Sequence, residues 1–201
     1  MMIEIDTLTR GLWQTGAIKF GNFTLKSGVQ SPFYINLRFL ITIPSILRFT
    51  AHSMCEVTRG LKFDRVAGIP YAGLPPAVLI SQELDIPLIY PRQETKTHGD
   101  IRTIEGTYSP GVVVLVVDDL ITNGQTKLEA IQPLTDAGLM VKDIVVLIDR
   151  EQGGVTLMAE KGYAVRSVIT ISNLLSSLKK QQLISDTEYA QSIKHIQEVR
   201  F

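Results

Sequence analysis

Hydrophobic and polar positions divide this chain into short apolar runs separated by stretches with helical spacing. The most regular run is 112–117, six consecutive apolar residues of which five are β-branched. It leads into Asp118 and Asp119 and then Leu120-Ile121-Thr122-Asn123-Gly124-Gln125-Thr126. A continuous apolar run bounded by turn residues reads as a strand buried on both faces of a parallel sheet. Beyond the polar loop, Leu128, Ile131, Leu134 and Ala137 recur at helical spacing, with Pro133 expected to kink or shorten that helix. Further strands are predicted over 63–70, 86–90, 143–149 and 163–170. Helices are predicted over 3–15 with Gly16 ending the first, from Thr42 and Pro44 to Gly60, over 75–84, and around Leu174, Leu175 and Leu178. Ser185-x-x-Glu188 resembles a capping box opening a last helix through Ile193 and Ile196. The sum is an α/β fold: a five-stranded, mainly parallel sheet with helices on both faces.

Composition narrows the function classes. Hydrophobic residues at 45% and charged residues at 20% describe one ordinary globular domain over 1–201. Twenty Lys and Arg balance twenty Asp and Glu, so no global field draws in nucleic acid or an anionic membrane. The one cysteine, Cys55, permits no internal disulfide and is expected on the apolar face of a helix. The N-terminus lacks the basic start and apolar stretch of a signal peptide, and the apolar runs are strand-sized. A cytoplasmic protein is expected. His52 and His195 are both read as lying on helix faces without a special role, His195 on the outer one.

Ligands of open α/β sheets sit outside the carboxyl ends of the strands, where this reading places Asp118 and Asp119. The loop after them offers successive backbone N–H groups and a helix N-terminus, a site for phosphate. Two acids beside a phosphate would repel it unless they bind hydroxyls or a metal, which suggests a sugar phosphate with Mg²⁺. The plain alternative is a strand-end Asp that merely caps a helix. Neither a Walker loop nor a Gly-x-Gly-x-x-Gly fingerprint is present. A second unusual stretch, 92–106, has no apolar period and is long for a simple connection, which suggests a functional flap or a solvated surface loop.

Val116-Val117-Asp118-Asp119-Leu120-Ile121-Thr122-Asn123-Gly124-Gln125-Thr126 resembles the phosphoribosyl-pyrophosphate (PRPP) motif of type I phosphoribosyltransferases. In that family the acids hold the ribose hydroxyls and the loop wraps the 5′-phosphate. Phe23-x-Leu25-Lys26-Ser27-Gly28-x-x-Ser31-Pro32-x-Tyr34 resembles the N-terminal hood of orotate phosphoribosyltransferases, and Arg92-x-Glu94-x-Lys96-x-His98-Gly99 their catalytic flap. Leu147-x-Asp149-Arg150-Glu151-Gln152-Gly153-Gly154 is similar to the orotate domain of UMP synthases. The resemblance implies a type I phosphoribosyltransferase fold, with a hood of about 1–40 covering a core of about 41–201. It places Lys26 on pyrophosphate or orotate, Phe33 and Tyr34 beside the pyrimidine, and the Tyr71-Ala72 turn on pyrophosphate. Arg92, Gln93, Lys96 and His98 then fall in the flap, and Arg150 on the orotate carboxylate, which suits its planar two-pronged donor.

The resemblance further implies displacement at the anomeric carbon of PRPP by orotate, giving orotidine 5′-monophosphate and pyrophosphate in UMP synthesis. Asp118 and Asp119 face the positive charge developing on the ribose, and Lys96 and Arg92 face the leaving pyrophosphate. Mg²⁺ is expected on PRPP oxygens and water, with no dedicated protein ligand. A flap that serves the neighbouring subunit implies a homodimer, and no decarboxylase half is expected. Three positions depart from the family's pattern. Gln93 stands where a second lysine is usual, Asn123 where a small residue is preferred, and Ala72 where some relatives have lysine. Two alternatives stay open: a phosphoribosyltransferase for another base, against which Arg150 argues, and a regulatory protein that binds PRPP without turnover.

Overall fold

A computed structural model of the chain describes residues 4–24, 28–92 and 103–199. Helix α1 (Ile5–Gln14) stops at Thr15 and Gly16, where a φ of 69° provides the left-handed turn that ends helices. Strands β1 (Ile18–Thr24) and β2 (Gln30–Ile35) pair antiparallel as a two-stranded ribbon. A 3-10 turn, Leu37–Thr42, then absorbs the residues expected to open the next helix, and α2 (Pro44–Val57) begins with its proline in the first turn. The chain continues through β3 (Arg65–Gly68), α3 (Leu74–Leu84), β4 (Leu88–Pro91), β5 (Ile104–Glu105) and β6 (Val113–Ile121). It closes with α4 (Gln125–Asp136), β7 (Met140–Asp149), α5 (Gly154–Glu160), β8 (Ala164–Thr170), α6 (Ile171–Lys180) and α7 (Asp186–Glu198).

Among the described residues the main sheet has the order β5-β4-β3-β6-β7-β8. The five predicted strands are its five parallel members, and a two-residue antiparallel strand, β5, adds a sixth at the β4 edge. Helix α5, whose opening residues are equally legible as a polar loop or a helix start, packs on β8. Pro133 neither cuts nor ends α4, which runs on to Asp136. The capping box at α7 is present in both directions, Ser185 Oγ accepting from Glu188 N and Glu188 accepting from Ser185 N.

Alternation along β6 sorts its side chains between two cores. Leu115 and Val117 join the apolar cluster of α1, α2, α3, α6 and α7, while Val114 and Val116 join Ile131, Leu134 and Met158 of α4 and α5. The ribbon has no core of its own. Phe33 of β2, 1% exposed, belongs to the first cluster, and α7 packs across β2 to cover it. Cys55 is buried in α2, and burial with nearby Glu83 pushes its thiol up to about 12. His52 lies on a face of α2, its Nδ1 2.7 Å from Glu83 Oε1 of α3. Among the described residues no helix is long and apolar enough to cross a membrane.

Candidate active site

Strand β6 does not end at the acids, because its ladder with β7 continues through Asp118↔Val146, Leu120↔Ile148 and Ile121↔Asp149. The side chain of Ile121 is fully buried in the second core, so only its backbone can meet a ligand. The two acids continue the alternation of the strand. Asp118 turns toward α4 and forms a buried ion pair with Lys127 of that helix's first turn. Asp119 turns toward α2 and α3, where burial and then the charge of Asp118 push its carboxyl up to about 7. The backbone N–H groups of Asp119 and Leu120 donate to Asp118 Oδ1 and Asp119 Oδ1 at 2.8 and 2.7 Å, fixing both carboxylates against the strand.

The loop between β6 and α4 takes its left-handed residue at Gly124, φ 84°, and not at Asn123. Asn123 instead accepts from Gln125 N through its side-chain oxygen, at 3.2 Å. A Cβ on Gly154 would sit 2.5 Å from Thr122 O and 3.0 Å from Gly124 N, so α5 supports the loop from beneath by glycine contact. Gly154 N also donates to Thr122 O at 2.9 Å. Gly73 plays the same part for the turn after β3, where a Cβ would fall 2.5 Å from Val117 O and 2.9 Å from the Asp118 Cα. That close approach brings Tyr71 and Ala72 beside the acids.

A cavity of about 720 Å³ gathers Tyr71, Ala72, Arg92, Asp118, Asp119 and Thr126, with Lys127 and Arg38 also on its wall. Arg92 pairs with Glu105 of β5. Its backbone N–H donates to Thr103 O at 2.8 Å, and both residues line the cavity. A smaller apolar cavity of about 130 Å³ adjoins it, sharing Arg38, Tyr71, Ala72 and Asp119. Asn123 and Gln125 open instead onto a groove with Asp149 and Gln152. Among the described residues no three His, Cys, Asp or Glu side chains are grouped to hold a metal.

Phe33 and Arg150 meet elsewhere, where the ribbon joins the core. The Arg150 Cζ lies 5.8 Å from the centre of the Phe33 ring, and Arg150 N donates to Ile121 O at 3.0 Å, tying its loop to β6. Arg150 Nε is buried without a hydrogen-bond partner, and burial lowers its pKa. Tyr34, next along β2, points to the opposite face and stacks with Phe23 at 5.7 Å. Phe33 and Tyr34 therefore lie on opposite faces of β2. His195 overturns its expectation: it is 8% exposed, inside the molecule, with its ring 5.9 Å from that of Phe33 and perpendicular to it. Lys26, Gln93, Lys96 and His98 lie outside the described residues. Sequence reasoning missed Lys127 and Arg38, the first because a lysine after a polar loop reads as a solvated charge, the second because it lies beyond the hood motif, which ends at Tyr34.

The phosphoribosyl transferase domain model matches residues 48–173. Orotate phosphoribosyltransferase of Caenorhabditis elegans is 37% identical over 196 residues, 96% of this chain and 86% of that protein. Uridine 5′-monophosphate synthase of Bos taurus is 39% identical over 98% of this chain and 42% of its own length. The solved structure of Leishmania donovani UMP synthase superposes with a TM-score of 0.90 at 42% identity, covering 97% of this chain and 42% of that one. The chain thus spans about two fifths of the length of these two UMP synthases. Strand order, the paired acids within β6 and these relatives agree, and the chain belongs to the type I phosphoribosyltransferase family, among its orotate phosphoribosyltransferases.

Proposed function

We propose that the chain transfers the 5-phosphoribosyl group from PRPP to orotate, forming orotidine 5′-monophosphate and pyrophosphate in pyrimidine synthesis. The observation that carries the choice of base is Arg150, a half-buried guanidinium beside Phe33 whose Nε is buried without a partner. A buried, unsatisfied donor on a cation calls for an anionic acceptor, and orotate brings a carboxylate where a purine brings none. In this reading Asp119 meets the ribose from the cavity. Asp118, committed to Lys127, sets the local charge and holds its neighbour's backbone. The 122–126 loop takes the 5′-phosphate on its backbone N–H groups, and the Tyr71-Ala72 turn takes pyrophosphate on its own.

Mg²⁺ would travel with PRPP, its oxygen ligands coming from pyrophosphate and water, and the hard carboxylate of Asp119 on the cavity wall suits it. When bound, the ion would neutralise charge on the departing pyrophosphate. Arg92 and, from the flap, Lys96 and His98 add cations to the same end. Since the flap acts between subunits in this reading, the protein works as a homodimer.

Loss of orotate absorbance on adding PRPP and Mg²⁺ tests the reading directly. Rapid loss, abolished by Lys96→Ala, is expected. No loss, with PRPP still raising the unfolding temperature, would leave a binding protein on a transferase scaffold.

A further inference from the structure

His195 sits where neither the acids nor the phosphate loop needs it. It comes from α7, the last helix, and reaches the ribbon through the packing of α7 on β2. Its ring stands at 88° to the Phe33 ring, with centres 5.9 Å apart. The same Phe33 ring carries Arg150 at 5.8 Å. The one Phe33 ring thus contacts both an imidazole and a guanidinium, with Phe33 1% and His195 8% exposed. Two nitrogens there are buried without a hydrogen-bond partner: Arg150 Nε and His195 Nε2.

We propose that His195 is a positioning residue for the pyrimidine, which fixes Phe33 from α7 and so sets the guanidinium of Arg150 that meets the base. The inference rests on the reading of Arg150 as the carboxylate-binding group. It requires His195 to be uncharged, since an imidazolium would repel the nearby Arg150. The surroundings enforce that: burial and Arg150 both lower its pKa, against which Glu198 of the same helix acts weakly, and Tyr34 of β2 faces the other way. An alkyl side chain at this position would stay neutral but lose the perpendicular ring contact, leaving Phe33 free to turn.

The test compares KM for orotate and for PRPP in His195→Ala, His195→Gln, His195→Phe and Arg150→Ala, with unfolding temperature measured alongside. His195→Ala and His195→Gln are expected to raise KM for orotate about tenfold, the loss of one oriented aromatic pair, with KM for PRPP within about twofold. His195→Phe, which keeps a neutral ring, should restore most of it. In the parent, KM for orotate should climb as pH falls and His195 gains its proton, and His195→Phe should flatten that limb. Equal changes in both KM values, or no change in KM for orotate in either His195→Ala or His195→Gln, would overturn the proposal. Should Arg150→Ala raise KM for orotate while the His195 variants do not, only the role of His195 fails. Should Arg150→Ala leave it unchanged, the reading of the base site fails and the proposal with it.

Discussion

Replacing Lys127 with methionine removes one ammonium and keeps the length of the side chain. The two partners of the pair are 8% and 6% exposed, so Asp118 would be left charged inside the protein beside a second carboxyl group. Removing one member of a buried pair costs about 3–5 kcal/mol, far above the ~0–1 kcal/mol of an exposed pair, because the survivor keeps its desolvation penalty without its partner. For a domain of this size each kcal/mol lowers the melting temperature by about 2–4 °C, so Lys127→Met should melt roughly 6–20 °C below the parent. The measurement is thermal unfolding by circular dichroism near pH 7.5. Combining Lys127→Met with Asp118→Asn removes both charges and should recover most of the loss, which a general packing defect at Lys127 would not allow. A single variant melting within about 2 °C of the parent would refute the reasoning, showing that water or another group already compensates Asp118.

Asp119 gives a pH prediction. With its carboxyl at about 7 in the folded protein, the native state holds a proton between about pH 4 and 7 that the unfolded chain has released. Its contribution to stability therefore falls as pH rises across that window and is level above it; urea midpoints of the parent minus those of Asp119→Asn should decline over the same range. Gly73→Ala should raise KM for PRPP several-fold or more and lower stability by about 1–3 kcal/mol, since its new Cβ meets three backbone atoms within 3 Å; unchanged kinetics would show that the turn can move away freely. Cys55, its thiol pushed up to about 12, should resist alkylation at pH 7.5 until the protein unfolds, as mass spectrometry with and without denaturant will read.

Most of the fold is legible in the sequence because its strands are continuous apolar runs and its helices carry clear periodic faces. All five parallel strands lie where those runs occur, although Asp118 and Asp119 fall within β6 and not beyond its end. The features that are not legible there depend on partners distant in sequence. The extension of β6 through Ile121 comes from its ladder with β7, not from any local preference. Lys127 reads as solvated until the inward turn of Asp118 is known, and Arg38 takes its meaning from the shared wall of two cavities. His195 stands beside Ile196 on α7, and whether such a boundary position faces solvent or protein depends on the ribbon that packs there. The same holds for Tyr34, whose separation from Phe33 comes from simple strand alternation once the ribbon is recognised.

The parity of β6 also bears on how this motif tolerates insertion and deletion. Two identical aspartates look interchangeable in the sequence, yet one is spoken for by Lys127 and the other is left to the cavity. Losing a single residue from 113–117 would barely alter composition or hydropathy. With the ladder to β7 kept in register, it would slide Asp119 into the place opposite Lys127 and bring Leu120 to the cavity wall. The second aspartate is therefore no spare for the first, and the length of the apolar run before it is as much a functional constraint as the acids themselves.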